Sequence, residues 1–344
     1  MTAGSSASQR VLIAVVGPTA AGKSELALDL ADVLGGPGHV EIVGADAFQL
    51  YRGMDIGTAK LPVSQRRGYQ HHQIDVLALG EESSVADFQA TARADVAGVE
   101  RRGRRAIVVG GSGLYVRALL DDIDFPGTDP RVRARLEDRV RDEGSAALFD
   151  ELASLDPVAA RAMDPANPRR IVRALEVIEL TGEPFSARLP RPSYTRPAVQ
   201  LGVDYGREGL DERIERRVDA MLADGLLDEV ATLAGGDAQA FSRTAARAVG
   251  YRESLAHLRG EIDLATARTQ IIAATRRLAR KQMGWFGRDP RIKWLRADTQ
   301  SGAELVDRAA EFVREAQADP AATLNPAERF ALPVSEPVRR RLGS

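Results

Sequence analysis

The chain has 344 residues, of which 44% are hydrophobic, and its formal net charge is −2. This length can support a full hydrophobic core in one elaborated domain or in two domains, and the charge excludes a polycation that binds nucleic acid over its whole surface. The absence of cysteine excludes disulfides, thiol catalysis and zinc ribbons, and four histidines give little basis for a transition-metal site.

The first ten residues, MTAGSSASQR, lack the long apolar run of a signal peptide. No segment approaches the roughly 18 consecutive apolar residues of a membrane-spanning helix. We therefore expect a cytoplasmic protein that has no membrane association.

A phosphate-binding loop is the first motif along the chain. Apolar residues Val11–Val16 predict a buried strand, which is followed by Gly17-x-x-x-x-Gly22-Lys23-Ser24 and by a leucine-rich helix. Backbone N–H groups and the helix N-terminus attract an anion, Lys23 adds a charge, and Ser24 can bind Mg²⁺. The alternative is a glycine-rich turn without a ligand. The predicted loop comprises Gly17, Pro18, Thr19, Ala20, Ala21, Gly22, Lys23 and Ser24.

Two further strands end in polar or glycine-rich segments. Val40–Ala45 precedes Asp46, at the sheet edge where ligands of open α/β sheets bind; this carboxylate can act as a base, bind Mg²⁺ or cap a helix. Ala106–Val109 ends in Gly110-Gly111-Ser112-Gly113, without the Walker-B aspartate of an NTPase. We interpret these glycines as room for a ligand to approach the backbone.

The region from about Asp129 to Leu189 has no strand pattern. Its three helix starts each combine an N-cap with a proline, at Asp129-Pro130, Asp156-Pro157 and Asn167-Pro168, and Gly144 and Gly182 end two of the helices. With strands at Val199–Val203 and Ile292–Leu295, the pattern predicts an α/β fold. We expect a P-loop NTPase-like parallel sheet core (10–125 and 190–315), an inserted small all-helical domain (126–189) and a mobile tail (316–344). The alternative is that these helices simply cover the sheet.

A basic stretch from Ala267 to Arg288 has six basic residues and no acidic one. Four of them fall at helical spacing and form a cationic ridge beside Trp285 and Phe286, namely Arg276, Arg277, Arg280 and Lys281. The ridge suits an RNA backbone with base stacking, although a solvated helix face has the same pattern. A second basic cluster, NPRRIVRALEV, lies in the predicted helical insertion.

Several segments, in order along the chain, carry a resemblance to a known family. They are GPTAAGKS, DAFQLYRGMDIGTAK, HHQIDV, GGSGLYV, NPRRIVRALEV, ERIERRVDAML with GLLDEV, ARAVGYRE and TRRLARKQMGWF. Across about Val11 to Phe312 the chain resembles the tRNA dimethylallyltransferase family, also called the tRNA isopentenyltransferase family. The resemblance implies that the P-loop binds dimethylallyl diphosphate. It also implies transfer of the dimethylallyl group to N6 of adenosine 37 of tRNA, next to the anticodon, with release of diphosphate.

The resemblance also implies roles for individual residues. Asp46 would accept the N6 proton, Thr19 and Arg217 would help to stabilise the leaving diphosphate, and Ser24 would bind the Mg²⁺ cofactor. Contacts to tRNA, besides those of the cationic ridge, are implied for Asp46, Ala47, Phe48, Gln49, Ser112, Arg169, Arg170, Ile171, Val172, Arg173, Arg247, Ala248, Val249, Gly250, Tyr251 and Arg252. Ala47 stands where the family commonly has serine, and Ser112 replaces the usual threonine.

Two other functions fit the P-loop. One is an ATP-dependent small-molecule kinase. The other is a non-catalytic RNA-binding protein that is switched by nucleotide. For the transferase we expect a monomer whose partners are dimethylallyl diphosphate and the anticodon stem-loop of tRNA.

Overall fold

The computed structural model describes residues 10–188, 193–235 and 241–324. These residues form two compact units. The larger unit runs to Leu120 and resumes at Ser193, and the smaller unit begins at Asp121. The sequence-based limits of the insertion, 126 and 189, lie a few residues inside these boundaries.

The larger unit is built on a parallel sheet. Its strands are β1 (Leu12–Val16), β2 (Val40–Gly44), β3 (His71–His72), β4 (Arg105–Gly110), β5 (Ala198–Asp204) and β6 (Ile292–Arg296). Their order in the sheet is β3-β2-β4-β1-β5-β6, and every neighbouring pair is parallel. The predicted parallel α/β core and its five strands are confirmed. The sequence analysis missed β3, because two residues that pair with Ile42 and Val43 are too short to show a period.

Helices cover both faces of the sheet. Ile13 and Val15 of β1 point into one hydrophobic cluster, whereas Leu12 and Val16 point into another. Since successive side chains of a strand point to opposite faces, both faces of the central strand are buried. The helices of the larger unit are α1 (Lys23–Val33), α2 (Val85–Arg101) and α3 (Gly113–Leu120), and further along the chain α7 (Arg207–Ala223), α8 (Leu226–Ala234), α9 (Tyr251–Leu258), α10 (Leu264–Phe286), α11 (Gly302–Ala318) and α12 (Pro320–Leu324).

The smaller unit consists of α4 (Pro130–Leu155), α5 (Pro157–Arg161) and α6 (Pro168–Thr181). The side chains of Asp129, Asp156 and Asn167 cap these helices as predicted. Gly144 interrupts α4 with a φ of 85°, and Gly182 ends α6 with a φ of 70°. The unit has its own hydrophobic core, which includes Leu136, Leu148, Leu152, Ile171 and Leu175.

The beginning of the predicted mobile tail is helical instead. Residues 316–318 complete α11, and α12 follows them directly. Leu324 packs against the hydrophobic cluster that contains Leu12, and the N–H of Ala198 donates a hydrogen bond to the Thr323 hydroxyl at 3.2 Å. These contacts are long-range, so local composition did not reveal them. Residues 325–344 of that prediction lie outside the described part of the chain.

Among the helices that the structure describes, none is both long enough and apolar enough to cross a membrane.

Candidate functional site

The loop between β1 and α1 has the conformation of a phosphate-binding loop. Gly17 has a φ of 141°, and a Cβ atom there would lie 2.8 Å from the carbonyl oxygen of Val203. Gly22 has a φ of 78° and precedes the first residue of α1. The Lys23 ammonium donates a hydrogen bond to the carbonyl oxygen of Pro18 at 2.6 Å. The loop is therefore folded back on its own lysine at a helix N-terminus, which is an anion-binding arrangement.

Two long helices hold this loop in place. Arg213 of α7 donates through Nε to the carbonyl oxygen of Ala20 at 2.8 Å, and Ala20 has a φ of 63°. Gln282 of α10 accepts the N–H of Thr19 through Oε1 at 2.8 Å. The Thr19 N–H is thus already hydrogen-bonded to Gln282. In this conformation it is not one of the loop amides that can bind diphosphate. Sequence reasoning missed Arg213 and Gln282, although both lie inside recognisable segments, ERIERRV and TRRLARKQMGWF.

Cations outnumber anions beside the loop. Burial, and next the Arg217 guanidinium, lower the pKa of Lys23 from 10.5 to about 8, while Asp46 acts in the opposite direction. Burial also lowers the pKa of Arg217, whose charge Asp46 favours and Arg213 opposes. The Arg217 guanidinium makes no ion pair or hydrogen bond with any residue that the structure describes. This surplus of positive charge suits a multiply charged phosphate group.

The predicted catalytic residues Thr19, Asp46 and Arg217 line one cleft in the larger unit, together with Gln282. The cleft has about 630 Å³ of empty volume, including the part that is open to solvent. Apolar side chains form much of its remaining wall, including Phe48, Val218, Met221, Leu226, Ile271 and Leu278. A charged end and an apolar wall therefore occur in one cleft.

Asp46 lies in a turn, and no helix follows it. Its Oδ1 accepts the N–H of Phe48 at 3.0 Å, which is a local Asx turn, so the alternative role as a helix cap is wrong. Its Oδ2 makes no hydrogen bond to another described residue. The neighbouring N–H of Ala47 donates to the Ser112 hydroxyl at 3.2 Å, so Ser112 supports the backbone beside Asp46.

The glycines at the end of β4 and directly after it are required for a different reason from the one inferred from the sequence. A Cβ atom on Gly110 would overlap the Ala45 backbone, and one on Gly113 would overlap the Trp285 ring. On Gly111 it would lie 2.6 Å from Nε2 of Gln282. Close packing of β2 and α10 therefore requires these glycines, and the space that we assigned to a ligand is filled by protein.

The cationic ridge on α10 contains three residues that are available to a partner. Arg277, Arg280 and Lys281 are exposed and form no ion pair with any described residue. Arg276 instead pairs with Asp211 at 3.6 Å and with Glu215 at 3.3 Å, and so connects α10 to α7. Beside the ridge, Phe286 is buried and cannot stack on a base, whereas Trp285 is 43% exposed.

The predicted RNA segment of α6 is divided between the surface and the core of the smaller unit. Arg169 and Arg170 are exposed, whereas Ile171 and Val172 are buried in the core. Arg173 donates hydrogen bonds to the carbonyl oxygens of Pro126 and Gly127 and to the buried Glu176. The side chains of Ile171, Val172 and Arg173 therefore make contacts within the smaller unit and not the RNA contacts that the resemblance implies.

The segment from Arg247 to Arg252 mainly forms a wall of the cleft. Arg247 and Arg252 are exposed, and Arg252 pairs with Glu253 at 2.9 Å. Tyr251 is buried, and three residues of the segment line the cleft, namely Ala248, Val249 and Gly250. The buried Tyr251 therefore offers no surface to tRNA, and Ala248, Val249 and Gly250 can contact only the part of tRNA that enters the cleft.

The loop after Asp46 is fixed by residues that the sequence analysis did not select. Glu229 accepts the backbone N–H groups of Asp55, Ile56 and Gly57 at 3.0, 2.6 and 3.2 Å. Gln49 bonds within the same loop, donating to the carbonyl oxygens of Thr58 at 3.1 Å and Ala59 at 3.3 Å. Since Gly57 and Thr58 line the cleft, Glu229 holds part of its wall. The only sequence signal was that Glu229 lies in the segment GLLDEV.

The family of the chain follows from comparison with known proteins. Residues 49–289 match the family model for IPP transferase. This chain belongs to the IPP transferase family. The tRNA dimethylallyltransferase of Bifidobacterium animalis is 53% identical over 308 residues, which cover 89% of this chain and 88% of that protein. The tRNA dimethylallyltransferase of Streptomyces coelicolor is 51% identical over 88% of this chain and 95% of that protein.

Solved members of the IPP transferase family share the fold. The tRNA isopentenylpyrophosphate transferase of Bacillus halodurans has a TM-score of 0.67 and 34% identity, covering 94% of this chain and 100% of that one. A eukaryotic dimethylallyltransferase, solved acting on tRNA, has a TM-score of 0.75 and 25% identity, covering 89% of this chain and 80% of that one. The P-loop and Asp46 precede the residues that match the family model, so their assignment rests on the geometry described above.

The donors near the P-loop are compatible with Mg²⁺. In the described ranges, no group of three or more His, Cys, Asp or Glu side chains is arranged to hold a metal. Mg²⁺, however, commonly takes only one or two protein oxygens and completes its shell with phosphate oxygens and water. Ser24, exposed in the first turn of α1, offers a hydroxyl for this purpose.

Proposed function

We propose that this protein transfers the dimethylallyl group of dimethylallyl diphosphate to N6 of adenosine 37 in tRNA and releases diphosphate. The proposal rests mainly on the cleft: Arg217, which makes no ion pair or hydrogen bond with a described residue, lines it together with Asp46 and an apolar wall, in a member of the IPP transferase family. We further propose that it acts in the cytoplasm, as a monomer that binds the anticodon stem-loop.

The cationic end of the cleft fits the diphosphate. Arg217 of the cleft and Lys23 of the adjoining P-loop provide two charges that match the phosphate oxygens, and the α1 N-terminus adds its dipole. When the bond between C1 of the dimethylallyl group and the bridging oxygen breaks, its electron pair remains on diphosphate. These groups stabilise that increasing negative charge. Mg²⁺, which Ser24 would hold, supplies further neutralisation of the phosphate charge when bound.

The apolar wall fits the five-carbon group. Val218, Met221 and Leu278 can pack against its methyl groups and keep water from C1. Exclusion of water matters because an activated allylic carbon also reacts with water, which would release an alcohol in place of modified RNA.

Asp46 has the properties of the base. As N6 of adenine forms a bond to C1, its amine acquires positive charge and loses a proton. The Asx turn occupies Oδ1 of Asp46, which leaves Oδ2 to accept that proton. The other product is diphosphate, so the atoms and charges of the transfer balance.

The exposed cations fit the RNA. Arg277, Arg280 and Lys281 can contact backbone phosphates, and Arg169 and Arg170 of the smaller unit offer two more positive charges. The acceptor base must leave the anticodon loop to reach the cleft, and such an extrusion costs a few kcal/mol. The half-exposed Trp285 offers an aromatic face for stacking against neighbouring bases.

A direct assay tests the proposed function. The protein is incubated with Mg²⁺, unmodified tRNA and either radiolabelled dimethylallyl diphosphate or γ-labelled ATP. The control is the same tRNA with guanosine at position 37. We expect prenyl transfer to the adenosine-37 tRNA alone. Phosphate transfer from ATP would instead support the kinase, and RNA binding without chemistry would support the non-catalytic protein.

A further inference from the structure

Gln282 bridges two loops at the cleft. Its Oε1 accepts the N–H of Thr19 at 2.8 Å, and its Nε2 donates to the carbonyl oxygen of Gly111 at 3.0 Å. Both ends of the carboxamide are therefore used, and the opposite orientation would bring donor against donor and acceptor against acceptor. The side chain fixes the P-loop relative to the loop that carries Ser112.

The bridge is continuous with the proposed RNA-binding surface. Gln282 directly follows the exposed residues Arg280 and Lys281 on the unbroken helix α10. The same helix is tied to α7 by Arg276, and α7 holds the carbonyl oxygen of Ala20 through Arg213. Two backbone groups of the P-loop, the N–H of Thr19 and the carbonyl oxygen of Ala20, are thus held by the two helices.

We propose that Gln282 is a positioning residue that couples RNA binding on α10 to diphosphate binding at the P-loop. This inference rests on the proposed function. RNA phosphates that contact Arg277, Arg280 and Lys281 restrain the C-terminal half of α10, and Gln282 transmits that restraint to Thr19. A loop that is already ordered loses less conformational entropy when the anion binds. Coupling of this kind is reciprocal, so diphosphate should also tighten RNA binding by the same factor.

If the role of Gln282 were purely structural, its replacement would have a different effect on diphosphate binding. If Gln282 only stabilised the folded protein, its loss would weaken diphosphate binding by the same factor with and without RNA. The ratio of the two dissociation constants therefore separates coupling from general stability.

The experiment measures the dissociation constant of pyrophosphate in the presence of Mg²⁺, with and without a saturating unmodified anticodon stem-loop RNA. Pyrophosphate is the probe because no transfer can occur with it. In the wild-type protein we expect RNA to tighten pyrophosphate binding at least about fivefold, the lower end of typical couplings. Gln282→Met should reduce this ratio to near one. Gln270→Met, a matched change at an exposed position of α10, should retain the wild-type ratio.

A second measurement uses the wild-type protein alone and does not depend on how the variant folds. RNA binding should slow the hydrogen exchange of the Thr19 amide, because its acceptor becomes more firmly held. A wild-type ratio of one, an unchanged ratio in Gln282→Met, or an unchanged Thr19 exchange rate overturns the coupling. Prenyl transfer to the same RNA is assayed in parallel. Transfer without coupling refutes only this inference, whereas no transfer refutes the proposed function on which it rests.

Discussion

The hydroxyl of Tyr251 donates a hydrogen bond to the carboxylate of Glu229 at 2.6 Å. The same carboxylate holds the backbone from Asp55 to Gly57, and the Tyr251 ring lies so close to Gly57 that a Cβ atom would overlap it. The Glu229 carboxylate thus connects Tyr251 with the backbone from Asp55 to Gly57. In this way Glu229 fixes the loop that begins at Asp46.

Loss of this carboxylate should disorder one wall of the cleft. Glu229→Ala removes the acceptor of three backbone N–H groups, so we expect a loss of about 1–3 kcal/mol in the free energy of unfolding. We also expect a lower rate of prenyl transfer. Urea denaturation and single-turnover kinetics measure the two effects. Asp228→Ala, at the exposed neighbouring position of α8, should change neither; equal effects of both variants would contradict this role of Glu229.

Asp46→Asn should leave a folded protein that binds both substrates but transfers slowly. Asparagine can still accept the Phe48 N–H that forms the Asx turn, so the loop is preserved. It cannot accept the N6 proton, and we expect about a 10²–10⁴-fold lower rate. Single-turnover measurements with saturating tRNA and dimethylallyl diphosphate remove binding from the comparison. A rate within a few-fold of wild type would exclude Asp46 as the base.

Affinity for diphosphate should depend on the charge of Lys23. Because the pKa of Lys23 in the free protein is about 8, the ammonium is charged below that pH and becomes neutral above it. The dissociation constant of dimethylallyl diphosphate should therefore rise between pH 8 and pH 10, and calorimetry can follow it. Lys23→Met should weaken binding at neutral pH by about 10–100-fold, as expected for a charge-assisted hydrogen bond, and should flatten the pH profile. A profile as steep as that of wild type would assign the titration to another group.

Neutralising the exposed ridge should flatten the salt dependence of tRNA binding. If Arg277, Arg280 and Lys281 each contact one phosphate, replacing all three by glutamine reduces the slope of log K against log salt by about 2. Filter binding at several salt concentrations measures it. Arg268→Gln is the matched control on α10, because Arg268 already pairs with Asp219 at 2.5 Å. An unchanged slope in the triple variant would mean that the ridge is only a solvated helix face.

Stability in acid should depend on Glu41, a buried residue of β2. Burial alone would raise its pKa, but hydrogen bonds from Arg102, His72 and Arg104 outweigh burial and lower the pKa from 4.5 to about 2. The stabilisation is complete above about pH 4.5 and decreases as the pH falls toward 2.

The variant Glu41→Gln should be less stable at pH 6 by about 3–5 kcal/mol, since it leaves the arginines without their partner. The difference from wild type should shrink toward pH 3. Urea denaturation across this range measures it, with Glu137→Gln as a control at an exposed position of α4. A difference that does not change with pH would contradict the role of ionised Glu41.

Local sequence determined five of the six sheet strands, the P-loop and the caps of the inserted helices, because each depends on neighbouring residues. A buried strand needs an apolar run, and Gly17 and Gly22 adopt backbone angles that other residues disfavour. A cap needs a short polar side chain directly before the helix, as at Asp129 and Asn167. These elements were predictable without knowledge of the rest of the chain.

Tertiary structure decided which residues of each motif contact the rest of the protein and which stay exposed. Arg276 and Arg277 are neighbours in one basic run, yet Arg276 pairs with α7 while Arg277 is exposed, because only one face of α10 packs against that helix. Gln282 contacts Thr19 across 263 positions of the chain. No period or local pattern encodes such a contact, because it depends on the packing of α10 across the ends of β1 and β4. The sequence by itself therefore determined the chemical groups of this protein, and long-range packing determined which of them meet.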